Sequence, residues 1–217
     1  MTEFTMIIAN KRYSSWSMRG WLAMKLTGAA FEEIVIPLDV ETTAAAIAEH
    51  SPSGLVPALK HGPRTIWDSL AIIEYLAELF PGAGYWPEDP ETRAFARSVS
   101  AEMHSGFGAL RSEMPMNIGA SKPGHVHSEA ADRNIHRVMD IWRDCLHRFG
   151  GGPFLFGPAG AADIMYAPVI TRFETYGVQM DDICRTYAHN VMTWDPVVAW
   201  CEAAKTEPWV IEKYESA

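Results

Sequence analysis

Residues 81–90 hold three prolines (Pro81, Pro87, Pro90) and two glycines (Gly82, Gly84), and the hydrophobic pattern changes kind across them. Proline removes a backbone donor and glycine adds conformational freedom, so no regular element is expected to run through this segment. Before it, short apolar runs alternate with helical patterns; after it, nearly every pattern is helical. A chain with that break is predicted to fold as a mixed α/β unit over residues 1–80, a linker over 81–90 and an all-helical unit over 91–217.

In the first unit, Phe4 to Ala9 reads as a strand. Ser15 to Leu26 puts Met18, Trp21, Leu22 and Leu26 on one helical face, with Gly28 as the stop. Phe31 to Leu38 is a second strand, placed at a sheet edge by Pro37, and Thr42 to Glu49 a weak helix. Ala58 to Lys60 and Thr65 to Trp67 flank a turn at 61–64 and make an antiparallel hairpin. Asp68-Ser69 opens a helix that carries Leu70, Ile73, Leu76 and Phe80 inward. The order is βαβ, then ββα.

In the second unit, Phe95, Val99, Met103, Phe107, Leu110 and Met114 fall at steps of three or four, which predicts one long amphipathic helix. Pro115 to His127 reads as an irregular loop. Ser128 caps a helix bearing Ile135, Val138, Met139, Trp142 and Leu146, closed by Gly150, Gly151 and Gly152. A helix from Ala162 to Tyr176 contains Pro168 and is predicted to bend there. Asp195-Pro196 opens a last helix through Ala204. Trp21, Trp142 and Trp200 are read as core.

With 48% hydrophobic and 21% charged residues, the chain has the balance of an ordered globular protein. A net charge of -9 opposes nucleic-acid binding, and the densest basic stretch is only Lys11-Arg12. The start, MTEFTMIIAN, carries Glu3 and too short an apolar run for a signal peptide or a span, so no membrane is expected. Cys145, Cys184 and Cys201 are too few and too spread for a disulfide framework, and free thiols in a reducing cytoplasm are the simplest reading. His125 and His127 lack a third ligand nearby in sequence, and no metal site is expected.

Three short segments carry the chemistry. They are Tyr13-Ser14-Ser15-Trp16-Ser17-Met18-Arg19, Ser51-Pro52-Ser53-Gly54-Leu55-Val56-Pro57-Ala58-Leu59 and Asp68-Ser69-Leu70-Ala71-Ile72-Ile73-Glu74-Tyr75-Leu76. In this order and spacing they resemble the glutathione-binding domain of cytosolic glutathione transferases. Gly160 to Pro168 is similar to that family's core helix in its second domain. Serine followed by arginine in the first segment is most similar to the serine-dependent branches, notably the zeta class. The resemblance implies a thioredoxin-like α/β N-terminal domain, an all-α C-terminal domain and a cytoplasmic homodimer active in detoxification. Glutathione would be its co-substrate and a small electrophile its second substrate.

A helix N-terminus offers unpaired N–H groups and a partial positive charge, so Ser14 or Ser15 can hold a thiolate there and donate an O–H to it. A thiol of pKa about 8.5 is only a few per cent ionised at neutral pH, and lowering it by about two units takes roughly 2.7 kcal/mol. A hydrogen bond to a charged group supplies roughly 1.5–3 kcal/mol and the helix end about 0.3–1 kcal/mol, which together suffice. Ser14 stands five residues before Arg19, as in the serine-type pattern, and is the first choice, with Ser15 behind it and Tyr13 a third candidate. The resemblance implies a cis peptide at Val56-Pro57, with Val56 pairing its backbone to the cysteine of glutathione as an added strand would. It also implies that Ser69 meets the γ-glutamyl carboxylate and Asp68 the ammonium. Trp16, Met103, His104 and Phe107 are the candidates for the second substrate.

Each motif also has a plainer reading: Ser14-Ser15 and Asp68-Ser69 as helix caps, Val56-Pro57 as a turn, Arg19 as a residue ordering its helix. The sequence departs from the family pattern as well. Trp16 stands where the zeta class usually has cysteine, and Gly20-Trp21 replace an arginine-rich continuation. Leu55 stands where lysine or glutamine often helps hold glutathione, and Gly160 replaces a Ser/Thr cap before Asp163. Two alternatives stay open: a glutathione-dependent isomerase of the maleylacetoacetate type or a peroxidase, and a non-catalytic glutathione-binding module. The absence of cysteine from the first 144 residues argues against covalent thiol exchange by the protein itself.

Overall fold

A computed structural model describes residues 3–149 and 152–215. The first half is a four-stranded mixed sheet of order β2-β1-β3-β4. Its strands are β1 (Phe4–Ala9), β2 (Phe31–Ile36), β3 (Ala58–His61) and β4 (Arg64–Trp67). β1 runs parallel to β2 and antiparallel to β3, which pairs antiparallel with β4. Helices α1 (Ser15–Leu26), α2 (Thr43–Ala48) and α3 (Ser69–Leu79) complete this half, the thioredoxin-like arrangement the sequence predicts.

Alternation along β1 sorts its side chains. Met6 and Ile8 enter the main core with α1 and α3, while Ile7 enters a small cluster with Ile36, Ile47 and Ala58 on the α2 side. β2 is an edge strand and ends at Ile36, two residues short of the expected Leu38, because Pro37 has no N–H to give. The Leu38 N–H goes to Asn10 Oδ1 at 2.6 Å instead. In α3, Ile72, Ile73 and Leu76 are buried while Leu70, expected inward, is half-buried.

The second half is helical: α4 (Pro90–Ser105), α5 (Gly108–Glu113), α6 (Glu129–Phe149), α7 (Ala161–Tyr176), α8 (Asp182–Met192), α9 (Asp195–Lys205) and the short α10 (Glu212–Glu215). The single helix expected through Met114 is two. At Gly106 the backbone turns extended (φ -98°, ψ -164°) and Phe107 takes a left-handed φ of 57°. A Cβ on Gly106 would lie 2.7 Å from the Glu102 carbonyl oxygen, so glycine permits the break. The apolar repeat runs on across it because Val99, Met103, Leu110 and Met114 all face one core. Ser128 caps α6 as expected, accepting the Ala131 N–H at 3.3 Å, but Gly150 and Gly151 of its expected stop lie outside the described residues. Helix α8 is an element that periodicity did not reveal; Asp181 caps it, and Cys184, Tyr187, Ala188 and Val191 form its buried face. In α9 the cap position is Trp194 rather than Asp195.

α7 is buried almost throughout and packs against α1 of the first half as well as α4 and α8 of its own. Its Met165 carbonyl accepts the Arg19 Nε–H from α1 at 3.0 Å. The C-terminal segment ties down the loop before α1: Glu207 accepts the Lys11 N–H at 2.8 Å and the Arg12 N–H at 3.1 Å. Among the described residues no helix is long and apolar enough to cross a membrane.

At the start of α7 the capping box is half formed. Gly160 has no side chain to offer, but Asp163 Oδ2 accepts its N–H at 2.9 Å, and Asp163 Oδ1 accepts the Leu155 N–H and the Tyr187 O–H. Burial pushes the Asp163 carboxyl up to about 6 against the pull of these bonds. Asp163→Ala should therefore leave these three donors without their acceptor, at a cost of about 3 kcal/mol or more, read as a fall of roughly 6–12 °C in melting temperature. A second prediction concerns Gly20, where an added Cβ would sit 2.9 Å from the ring of Pro57. Helix propensity alone favours alanine by about 1 kcal/mol, but overpacking a proline ring costs about 1–3 kcal/mol. Gly20→Ala should lower the unfolding midpoint, and a rise would show that the turn at Pro57 yields freely.

Candidate active site

The first turn of α1 is built around its cap. Ser14 is extended (φ -90°, ψ 91°), accepts the Ser17 N–H at 3.3 Å and donates to Ser17 Oγ at 2.8 Å. Ser17 Oγ in turn accepts the Ala9 N–H from the end of β1. Ser15, one residue on, accepts from Arg172 Nη2 of α7 at 3.2 Å. Both serines line a cavity of about 450 Å3 with Trp16, Arg111, Arg172 and Tyr214.

A second cavity, also about 450 Å3, adjoins it and shares Trp16. Its walls include Val56, Pro57, Asp68 and Ser69, the residues the sequence singled out, together with exposed Leu55 and Trp67. The Val56-Pro57 peptide is cis. Asp68 caps α3 from an unusual backbone conformation (φ 71°, ψ 138°), and its Oδ1 accepts the Leu70 N–H at 2.8 Å. Ser69 is fully buried and its hydroxyl has no partner among the described residues, so a polar atom is held ready at a helix N-terminus.

Positive charge collects where the cavities meet. The guanidinium carbons of Arg19 and Arg111 lie 4.6 and 5.4 Å from the centre of a Trp16 ring. Arg19 is fully buried, its Nη1 and Nη2 find no partner among the described residues, and burial followed by the charges of Arg172 and Arg111 brings it down to about 9. Burial and then Arg111 bring Arg172 down to about 10. None of these three arginines forms an ion pair among the described residues, in a chain whose net charge is -9. Of the three, the sequence alone points only to Arg19, and there to a structural role. Arg111 and Arg172 carry no local signal, because their place depends on how α5 and α7 pack.

Of the other candidates, His104 reaches the site from α4. Its Nε2 is 3.3 Å from Asp68 Oδ2, and its ring meets Trp16 edge-on at 5.1 Å. Met103 and Phe107 are packed into the core, and the cavity beside Ser14 and Ser15 is walled instead by α5, the loop after it and Tyr214. The Tyr13 hydroxyl is committed to Glu215 Oε1 at 2.6 Å, and burial raises its pKa. His125 and His127 are half-buried and bonded to the Glu113 carbonyl and to Asp132. All three cysteines are buried, which pushes Cys145 and Cys184 up to about 12 and Cys201 to about 11, so they are protonated at neutral pH.

Residues 13–79 match the family model of the glutathione S-transferase N-terminal domain, and residues 126–203 that of the C-terminal domain. Glutathione S-transferase L1 of Arabidopsis thaliana is 26% identical over 189 residues, covering 86% of this chain and 72% of that protein. The chain spans 63% to 72% of the length of the plant relatives of this kind. Maleylacetoacetate isomerase of Rhizobium meliloti is 38% identical over 177 residues, covering 77% of this chain and 81% of that one. In fold, a glutathione transferase homolog from Burkholderia gl BGR1, solved with bound glutathione, superposes with a TM-score of 0.73. It covers 94% of this chain and 99% of its own at 24% identity. With both domain models matched in order along the chain, this chain belongs to the glutathione S-transferase family.

Proposed function

We propose that the chain conjugates glutathione to a small electrophile, with the tripeptide in the Val56–Ser69 cavity and its sulfur beside the first turn of α1. The observation that carries this reading is the pair of helix N-termini, Ser14-Ser15 on α1 and Asp68-Ser69 on α3, opening on adjoining cavities that share Trp16. Ser69 supplies a buried hydroxyl and the α3 helix end for the γ-glutamyl carboxylate, and Asp68 a carboxylate for the ammonium. The chain just before β3, at Val56, offers backbone groups to the cysteinyl residue in the manner of an added strand.

The chemistry asked of the protein is modest. The thiol loses its proton to water. A serine hydroxyl and the α1 helix end then hold the thiolate, and the nearby arginines add a favourable field. The sulfur lone pair forms a C–S bond to the electrophilic carbon. In a substitution the leaving group departs with its bonding pair; in an addition the neighbouring atom takes a proton from water. The cavity bounded by Gly108, Ser112, Pro115, Met116 and Tyr214 is where the electrophile would lie. Homodimerisation and residence in the cytoplasm belong to the same reading, on the family's pattern.

An isomerase reading of the maleylacetoacetate type is favoured by one observation, the 38% identity to the Rhizobium meliloti enzyme. It shares the glutathione site and differs in the step after attack: the adduct expels glutathione again once the double bond has turned. Parallel assays of isomerisation and of conjugation to a generic electrophile separate the two.

Ultraviolet titration of glutathione bound to the chain should show its thiol pKa lowered by about two units from 8.5. Tight binding with no shift would leave a non-catalytic binding module. Asp68→Ala should weaken glutathione binding roughly 10- to 100-fold, the worth of one hydrogen bond to a charged group, while leaving turnover at saturation much less changed. An unchanged KM for glutathione would remove Asp68 from the site.

A further inference from the structure

We propose that Ser15, rather than the capping Ser14, is the hydroxyl that donates to the glutathione sulfur, and that Arg172 of α7 is the positioning residue that aims it. The proposal rests on the reading of the cleft as a glutathione site.

The two hydroxyls differ in what the protein already asks of them. Ser14 Oγ accepts the Ser17 N–H and gives its own proton to Ser17 Oγ at 2.8 Å, in a chain of bonds that continues to the Ala9 N–H. Turning that proton toward a ligand would break the link that joins the cap to β1. Ser15 stands otherwise: it accepts from Arg172 Nη2 at 3.2 Å, and its own proton has no acceptor among the described residues. A hydroxyl whose lone pair is held by a guanidinium must direct its proton elsewhere, and polarisation by the positive charge makes it the stronger donor.

Arg172 is built to stay where it is. Nε donates to the Met114 carbonyl and Nη1 to the Pro168 carbonyl, each at 2.9 Å, so Nη2 is the arm left for Ser15. The side chain is 4% exposed and forms no ion pair among the described residues. A buried charge without a counterion is costly, and a thiolate one hydroxyl away would supply the missing charge. Arg19 and Arg111, beside Trp16, deepen the same field. The thiolate-holding hydroxyl is thus oriented by the other half of the chain, so the site is complete only when α1 and α7 are docked.

The test compares Ser15→Ala, Ser15→Thr, Ser14→Ala, Arg172→Met and Arg172→Lys, measuring glutathione affinity by calorimetry and the bound-thiol pKa by thiolate absorbance. Ser15→Ala and Arg172→Met should raise that pKa by about one unit or more, a tenfold or greater loss of thiolate below the pKa, with a much smaller change in affinity. Ser15→Thr keeps a hydroxyl and Arg172→Lys keeps a charge, and each should recover part of the shift, which a purely structural role would not produce. Ser14→Ala should register mainly as a lower melting temperature, through loss of the cap. A larger pKa shift in Ser14→Ala than in Ser15→Ala, or an Arg172→Met protein that binds glutathione with the same thiol pKa as the parent, overturns the proposal. If Arg172→Met does not fold, the serine pair still decides. A parent chain that takes up no glutathione brings down the reading of the cleft, and this proposal with it. A parent whose lowered thiol pKa survives Ser15→Ala brings down this proposal alone.

Discussion

Two guanidiniums closed away from solvent beside α7 hold the molecule's halves in register. Arg19 reaches from α1 to the Met165 carbonyl, and Arg172 reaches from α7 to Ser15 while fixed to the carbonyls of Met114 and Pro168. Taking such charges out of water costs several kcal/mol each, so their hydrogen bonds must be well made. Backbone carbonyls meet that need at Arg172 and only in part at Arg19, whose Nη1 and Nη2 find no partner among the described residues, and they do so without neutralising either charge. The packing that joins the halves therefore leaves a positive field at their seam, inside a chain that is negative overall.

That seam is also where the chemistry gathers. Trp16 lies between the two cavities, with Arg19 and Arg111 near its rings and His104 at its edge. His104 links α4 to Asp68 at the start of α3, so the cavity on the first half carries a contact from the second. The Gly20 contact with Pro57 and the bonds of Glu207 to the Lys11 and Arg12 N–H groups set the position of α1 and of the loop before it. Each of these contacts joins residues far apart in sequence around one short helix turn.

Much of this was legible along the chain. The short apolar run Phe4–Ala9 marked the first strand, and the caps at Ser14 and Asp68 placed two helix starts. Periodicity misled at residues 106 and 107. A repeat at steps of three or four reports which side chains face one core, and it survives a break that glycine permits and a left-handed residue completes. Met103 and Phe107 went with that error, read as cleft residues when they belong to the core.

What the sequence determined alone is local. It set which segments become helices and strands, where helices begin, that the cysteines stay out of disulfides and that hydroxyl and carboxylate groups stand at two helix N-termini. Those properties depend on neighbours within a turn or two, so adjacent residues carry them. The tertiary structure alone decided which hydroxyl proton has no acceptor and which arginines have no carboxylate among the described residues, and that Arg111, Arg172 and His104 converge on the cavities around Trp16. These are matters of long-range packing and of charge left uncompensated by burial, and neither is written in any stretch of neighbouring residues.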